Sequence, residues 1–359
     1  MHRLAVGSTA VLLAMAPVCL WASDGASDLR IPAAGLLADL EIAREAYTTL
    51  HPGLYRYNTP EQIDARFDGL ADRFADGATL RQAYLGFTEM LAAIRCGHTY
   101  ANFWNQSEEV QERLFRGADK VPFTFRILED RLVIRRGAVD DARVRAGTQI
   151  TAIDGVATGE ILDRLMGLVH ADGSADHQRR FELQVTGIGE FEIFDVLQPL
   201  LYPPTAGRYR FSAIGLESGE AFEFLADAMT RERRQAVLEE RGGPLANTPD
   251  ELWRFELLDE TTAYLQAGSF VTWKMELDWR GFLEKAFETV RENGVENLIL
   301  DLRGNSGGDD DVAAALLSLL SPEPITLPVM RELVRYETVP AHLAPRLDTW
   351  DQSFFDRTG

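Results

Sequence analysis

Apolar residues recur at helical spacing through the first third of the chain. Leu36, Leu40, Ala43, Tyr47 and Leu50 fall three and four residues apart and predict a helix that ends at His51-Pro52-Gly53. Thr59-Pro60-Glu61 reads as an N-cap with proline at the first helical position, and Ile63, Phe67, Leu70 and Phe74 supply the apolar stripe. Thr79 and Gln82 fit a capping box, and the helix they open carries Tyr84, Phe87, Leu91 and Ile94. Gly97 is a natural terminator, so His98 sits at a helix exit and not on a helix face.

The period then changes to two. Val121, Phe123, Phe125 and Ile127 alternate as in a strand, Leu132 to Ile134 predict a second, and 147–155 a third that ends in an Asp154-Gly155 turn. A short helix follows over Glu160 to Leu168. Tyr209 to Ile214 and Ala221 to Leu225 predict a hairpin, and Thr230 to Arg241 a charged helix before the Gly242-Gly243-Pro244 linker. From residue 251 the pattern is α/β. Thr262 to Val271 is strand-like, Trp279, Phe282, Leu283, Ala286, Phe287 and Val290 form one helical face, and Val295 to Leu302 reads as a buried strand. A strand–helix–strand crossover predicts a parallel pair. Val312 to Leu320 predicts the next helix.

The 359 residues suffice for two or three domains, and a net charge of −20 excludes nucleic acid and anionic membranes as favoured partners. Lys120, Lys274 and Lys285 are the only lysines, so a lysine general base has few candidates. Leu4 to Trp21 is apolar and rich in small residues, and Ala22-Ser23-Asp24 makes a cleavage region. Residues 1–22 are therefore expected to be a signal peptide, with export to the periplasm or medium and no stable membrane insertion afterwards. Cleavage would leave Cys96 as the one cysteine, without a disulfide partner.

The chemistry concentrates where the apolar run ends. Asp301-Leu-Arg-Gly-Asn-Ser-Gly-Gly308 is a glycine-rich turn between a strand and a helix, which exposes backbone N–H groups suited to an oxyanion or a carboxylate. This segment resembles the Asp-x-Arg-x-Asn-x-Gly-Gly signature of the tail-specific (C-terminal processing) and tricorn-like serine proteases. Cys96-Gly-His-Thr-Tyr100, after His51-Pro-Gly-Leu-Tyr55, resembles that family's Gly-His-Thr segment, and the stretch containing Ala146 to Gly155 is similar to its PDZ-like domain.

The resemblance implies an α/β multidomain protein: a signal peptide at 1–22, an N-terminal helical domain at 28–118 and a PDZ-like β-rich module at 119–170. A connecting region with a hairpin and a helix at 171–250 would lead into an incomplete α/β (ClpP/crotonase-like) protease core at 251–359. It implies a serine-type endopeptidase acting on polypeptides, with His98 as general base and Gly307 and Gly308 forming the oxyanion hole. Asp301 and Arg303 would brace the loop by charge-assisted hydrogen bonds. Asp309, Asp310 and Asp311 read as helix-terminal capping residues, and no metal or cofactor is expected.

The family's nucleophilic serine lies in a small-residue segment well beyond the Gly-Gly loop. Ser318, Ser321 and Ser353 have no such setting, so the chain as given is expected to be inactive, with its nucleophile beyond residue 359. Two alternatives stand. One is a non-catalytic periplasmic peptide-binding protein of the same fold. The other takes Gly304-Asn-Ser-Gly-Gly308 as the nucleophile elbow of an α/β-hydrolase-like esterase, with Ser306 as nucleophile and His342 as the only downstream histidine. Cys96 and His98 need not meet at a helix exit, and Cys96 reads as a buried thiol.

Overall fold

The computed structural model describes residues 29–245, 248–326, 333–349 and 351–358, so the expected signal segment 1–22 lies outside the described residues. The chain forms a mixed α/β structure in which three hydrophobic clusters follow one another along the sequence.

The first cluster is helical. Strand β1 (Arg30–Ile31) leads into α1 (Ala33–Leu50) and α2 (Pro60–Phe74); β2 (Ala78–Thr79) pairs antiparallel with β1 and opens α3 (Leu80–Ala92). The capping box expected at Thr79 forms, and the N-cap expected at Thr59 is also a full capping box. The Gln62 N–H donates to Thr59 Oγ1 at 3.3 Å and the Thr59 N–H to Gln62 Oε1 at 2.9 Å; the Thr79/Gln82 pair repeats this at 3.2 and 2.9 Å. Each cap contributes about 1 kcal/mol. The stripes expected from the spacing are buried together: Leu36, Leu40, Ile63, Phe67, Leu70, Phe74, Leu91 and Ile94 share one core. Residues 93–107, between α3 and α4 (Glu108–Leu114), contain no α-helix and carry His98.

The second cluster packs helices against a sheet. Strands β3 (Phe123–Leu128), β4 (Arg131–Gly137), β5 (Gln149–Ile153) and β6 (Val156–Ala157) precede α5 (Thr158–Met166), α6 (Asp176–Glu182) and α7 (Ile193–Leu201). Then come β7 (Arg208–Ile214), β8 (Ala221–Asp227) and α8 (Arg231–Gly242). The sheet order is β3-β4-β5-β7-β8, with β6 on β5. The expected β7–β8 hairpin thus continues the sheet of the 119–170 segment through a β5–β7 pairing that joins Ile153 to Phe211. Phe123 packs edge-on against Phe211 at 5.2 Å and Phe125 against Phe194 at 4.9 Å. Arg234 of α8 is buried and bridges Asp195 of α7 and the Val121 carbonyl, so the helices are tied to the start of the sheet by a paired charge.

The third cluster is α/β. Strand β9 (Trp253–Leu257) runs antiparallel to β10 (Thr262–Ala267); α9 (Trp279–Glu292) crosses over to β11 (Asn297–Asp301), which pairs parallel with β10 as the crossover predicts. Leu265, Leu283, Phe287, Val312 and Leu316 form the core between the sheet and α9 and α10 (Asp310–Leu320). The expectation of a buried β11 fails. Among the described residues the strand lies at the edge of the sheet order β11-β10-β9, and Ile299 is 48% exposed. An apolar run does not distinguish a central strand from an edge strand whose outer face is uncovered.

Residues 333–349 and 351–358 return to the first cluster. Val339 and Leu343 pack on Leu50, His342 Nε2 lies 2.7 Å from Glu45 Oε1, and the Arg335 guanidinium sits 4.8 Å over the Tyr55 ring. Among the described residues no helix is long and apolar enough to cross a membrane.

Candidate active site

The glycine-rich loop is braced from both ends. Asp301, buried at the end of β11, accepts from the Arg303 backbone N–H at 3.0 Å and from Arg303 Nε and Nη2 at 2.9 and 2.6 Å, and the Tyr264 hydroxyl donates to it at 2.7 Å. The Arg303 guanidinium, then the Tyr264 hydroxyl and the Arg303 N–H, hold the Asp301 carboxyl far below the usual carboxylate range. Further on, Asn305 Nδ2 donates to the Ala267 carbonyl at 2.8 Å while Asn305 Oδ1 accepts the Gly307 N–H at 2.7 Å. The Phe270 N–H donates to the Gly307 carbonyl at 3.2 Å, and the Asp309 N–H to the Phe270 carbonyl at 2.7 Å. The loop is thus a fixed strap across residues 267–270.

Gly308 is where that strap demands glycine. Its φ is 142°, and a β-carbon there would stand 2.1 Å from the Phe270 carbonyl oxygen. Its N–H meets no acceptor among the described residues, and the residue is exposed. The Gly307 N–H, in contrast, is taken by Asn305. Asp309 caps α10: its Oδ1 accepts the Asp311 N–H at 3.0 Å and its Oδ2 the Thr272 hydroxyl at 2.8 Å. Ser306 is exposed and makes no hydrogen bond with a histidine among the described residues.

His98 is exposed on a turn closed by the Thr99 N–H to the Cys96 carbonyl at 3.0 Å. That turn is anchored to the segment after α5. The Gly97 N–H donates to Asp172 Oδ1 at 2.9 Å, and the Gly173 N–H to the Arg95 carbonyl at 3.0 Å. Beside it, the Tyr100 ring stacks on His170 at 3.9 Å between centroids. His170 is brought down to about 4 by burial, then by the neighbouring charges of His98 and Arg179, so it is neutral at pH 7. Burial also raises Glu182, whose charge acts on Tyr100.

Cys96 finds its histidine elsewhere. His51 Nδ1 accepts the Gly53 N–H at 3.1 Å, so the ring proton belongs on Nε2, which lies 2.8 Å from Thr99 Oγ1. The same imidazole beside Cys96 brings its thiol down to about 7, against the opposing effect of burial and with help from Thr99. Cys96 is half-buried and free, not the buried thiol expected from sequence. The His51–Cys96–Thr99 and Tyr100–His170 groupings join residues distant in sequence. Their one advance signal was the occurrence of His51-Pro-Gly and Gly-His-Thr in the same helical region.

The expected site residues occupy two elements. Gly307 and Gly308 share the strap; His98 lies on the turn after α3, with no hydrogen bond to the strap among the described residues. Helix α6 adjoins both. A methyl group on Gly304 would lie 3.7 Å from Phe181 Cζ, and the next residue, Glu182, acts on Tyr100. Lys274 Nζ, from the strap side, sits 5.0 Å over the Trp104 ring, a few residues past His98. The two elements therefore adjoin the same region of the molecule.

Residues 261–347, which contain the strap, match the model of peptidase family S41. The fold is similar to that of mature CPAF complexed with lactacystin, with 13% identity, a TM-score of 0.56, and coverage of 82% of this chain and 61% of that one. A serine-to-alanine mutant of CPAF gives 14% identity and a TM-score of 0.54, covering 80% of this chain and 59% of that one. This chain thus spans about three-fifths of the length of those structures. No curated protein matches the sequence.

Proposed function

We propose, from the peptidase family S41 segment at 261–347 and the CPAF-like fold around it, that this chain is the larger part of an exported serine-type endopeptidase acting on polypeptides. The observation that carries this reading is Gly308, an exposed residue at the end of the braced strap whose N–H meets no acceptor among the described residues and whose close contact with Phe270 allows no side chain. A substrate carbonyl approaching that N–H would gain a hydrogen bond as its oxygen becomes an oxyanion. Gly307 supplies the adjoining bare backbone, its own N–H holding Asn305 in place.

His98 is the general base in this account. Its exposed imidazole accepts the proton of a serine hydroxyl as that oxygen attacks the carbonyl carbon, and returns it to the leaving amine. No serine hydrogen-bonds a histidine among the described residues, and in this reading the nucleophile is a serine of a small-residue segment of the kind the family carries after its Gly-Gly loop. The 119–170 segment serves as a PDZ-like module that takes a peptide as an added strand. The elbow alternative gains nothing from the arrangement, because His342 is paired with Glu45 of α1.

The test is a serine-directed fluorophosphonate probe. A polypeptide that extends this chain through such a segment should be labelled at that serine, and its His98→Ala variant should lose that labelling. Labelling of Ser306 would instead establish the elbow reading.

A further inference from the structure

We propose that a pocket walled by Arg66, Arg95 and Arg179, beside the His98 turn, binds a carboxylate of the polypeptide substrate. This rests on the peptide-directed reading above and adds to it a specificity site. The cavity, of about 360 Å³, lies between the C-terminal ends of α3 and α5, where Ala92, Ala93, Met166 and Gly167 line it, and α6, which contributes Asp176 and Arg179. That volume suits a side chain or a chain terminus.

Its charge runs against that of the whole molecule. Three arginines face one carboxylate in a chain of net charge −20. The carboxylate, Asp176, is already engaged by Arg179 Nη1 at 2.8 Å. Arg179 is buried and pinned, with Nε donating to the Val169 carbonyl at 3.1 Å and Nη2 to the carbonyls of Ala171 and Gly173 at 3.3 and 3.2 Å. It forms a fixed positive wall. The other two arginines keep donors in reserve. Arg66 makes one long contact, 3.4 Å to Asn58 Oδ1, and the exposed Arg95 guanidinium has no acceptor among the described residues. Arg95 also holds a φ of 63°, a conformation that costs a non-glycine residue and is maintained by the Gly173 N–H on its carbonyl.

Guanidinium groups are planar forks that match a carboxylate in two parallel hydrogen bonds. Arg95 begins the segment that ends in His98, and Arg179 acts on His170, which His98 also acts on. A carboxylate fixed here would therefore hold the substrate chain alongside the candidate base. It could come from an acidic side chain or from the chain terminus.

Fluorescence anisotropy of rhodamine-labelled decapeptides with the full chain tests this without requiring hydrolysis. One peptide has an internal glutamate and an amidated end, a second has glutamine and a free C-terminus, and a third has glutamine and an amidated end. At least one carboxylate peptide should bind about tenfold more tightly than the third, and the stronger of the two identifies the source. Arg95→Gln, on the loop after α3, and Arg66→Gln, on α2, should each shrink that preference several-fold. Equal affinity for all three peptides, no binding of any, or unchanged preference in both variants overturns the proposal. Selective binding without fluorophosphonate labelling of the extended polypeptide would instead sink the peptidase reading alone.

Discussion

Replacing Gly308 by alanine tests whether the strap is held as described. A β-carbon there would lie 2.1 Å from the Phe270 oxygen and 2.7 Å from the Val271 nitrogen, so the two segments must separate by roughly an ångström to reach the 3 Å at which carbon contacts begin. That separation breaks the bonds on either side, Phe270 N–H to the Gly307 carbonyl at 3.2 Å and Asp309 N–H to the Phe270 carbonyl at 2.7 Å. Each is worth about 1 kcal/mol, and the glycine-favouring φ adds about 1–2 kcal/mol, for a total of roughly 3–4 kcal/mol. Gly307→Ala is the control: its φ is 102°, but a β-carbon there meets nothing within 4 Å, so only the conformational cost of about 1–2 kcal/mol applies. Urea unfolding followed by tryptophan fluorescence reads both, because Trp253, Trp273 and Trp279 all report on this region. Gly308→Ala should also speed hydrogen exchange of the Asp309 amide. Equal destabilisation by the two variants would refute the close approach.

His170 should make stability pH-dependent. Its folded value near 4 lies below the ordinary 6.5, so its contribution is full above 6.5 and is lost as pH falls through 6.5 toward 4. The loss is at most roughly 3 kcal/mol, and His170→Phe, which keeps an aromatic ring against Tyr100, should flatten the urea-midpoint slope across that window. Glu182 has the opposite sign, since burial raises it, and a Glu182→Gln variant should gain relative stability as pH rises. Cys96 should be alkylated by iodoacetamide with a pH midpoint near 7, and His51→Ala should move that midpoint upward; a midpoint of 8.5 or above in the unmodified protein would contradict the His51 pairing.

Local signals carried much of the fold. The boxes at Thr59 and Thr79 and the stripes behind them are set by neighbours three and four residues away, and the parallel β10–β11 pair follows from one crossover. Helix α7 was not visible because Ile193–Leu201 is an almost unbroken apolar run with Pro199 inside it, so no helical period stands out. β9 is not legible in its own residues because its register against β10 is a long-range choice. The exposure of β11 depends on what lies beside an edge, which its own residues do not encode. Within the site, Asp301, Arg303 and the glycines are contiguous and were legible as a braced turn. The imidazole of His51 beside Cys96 and the stacking of Tyr100 on His170 are made by tertiary packing, so neither follows from the spacing of the residues involved.

The central claim is that His98 activates a serine whose carbonyl target is held at Gly308. The most direct measurement is the rate of peptide hydrolysis by a polypeptide that extends this chain through a nucleophile segment, compared with its His98→Gln variant, under conditions where both remain folded. The account predicts that the variant's kcat falls by about 10²–10⁴-fold, the range for removing a general base, while peptide binding is retained. Hydrolysis by the variant at the unmodified rate would contradict it.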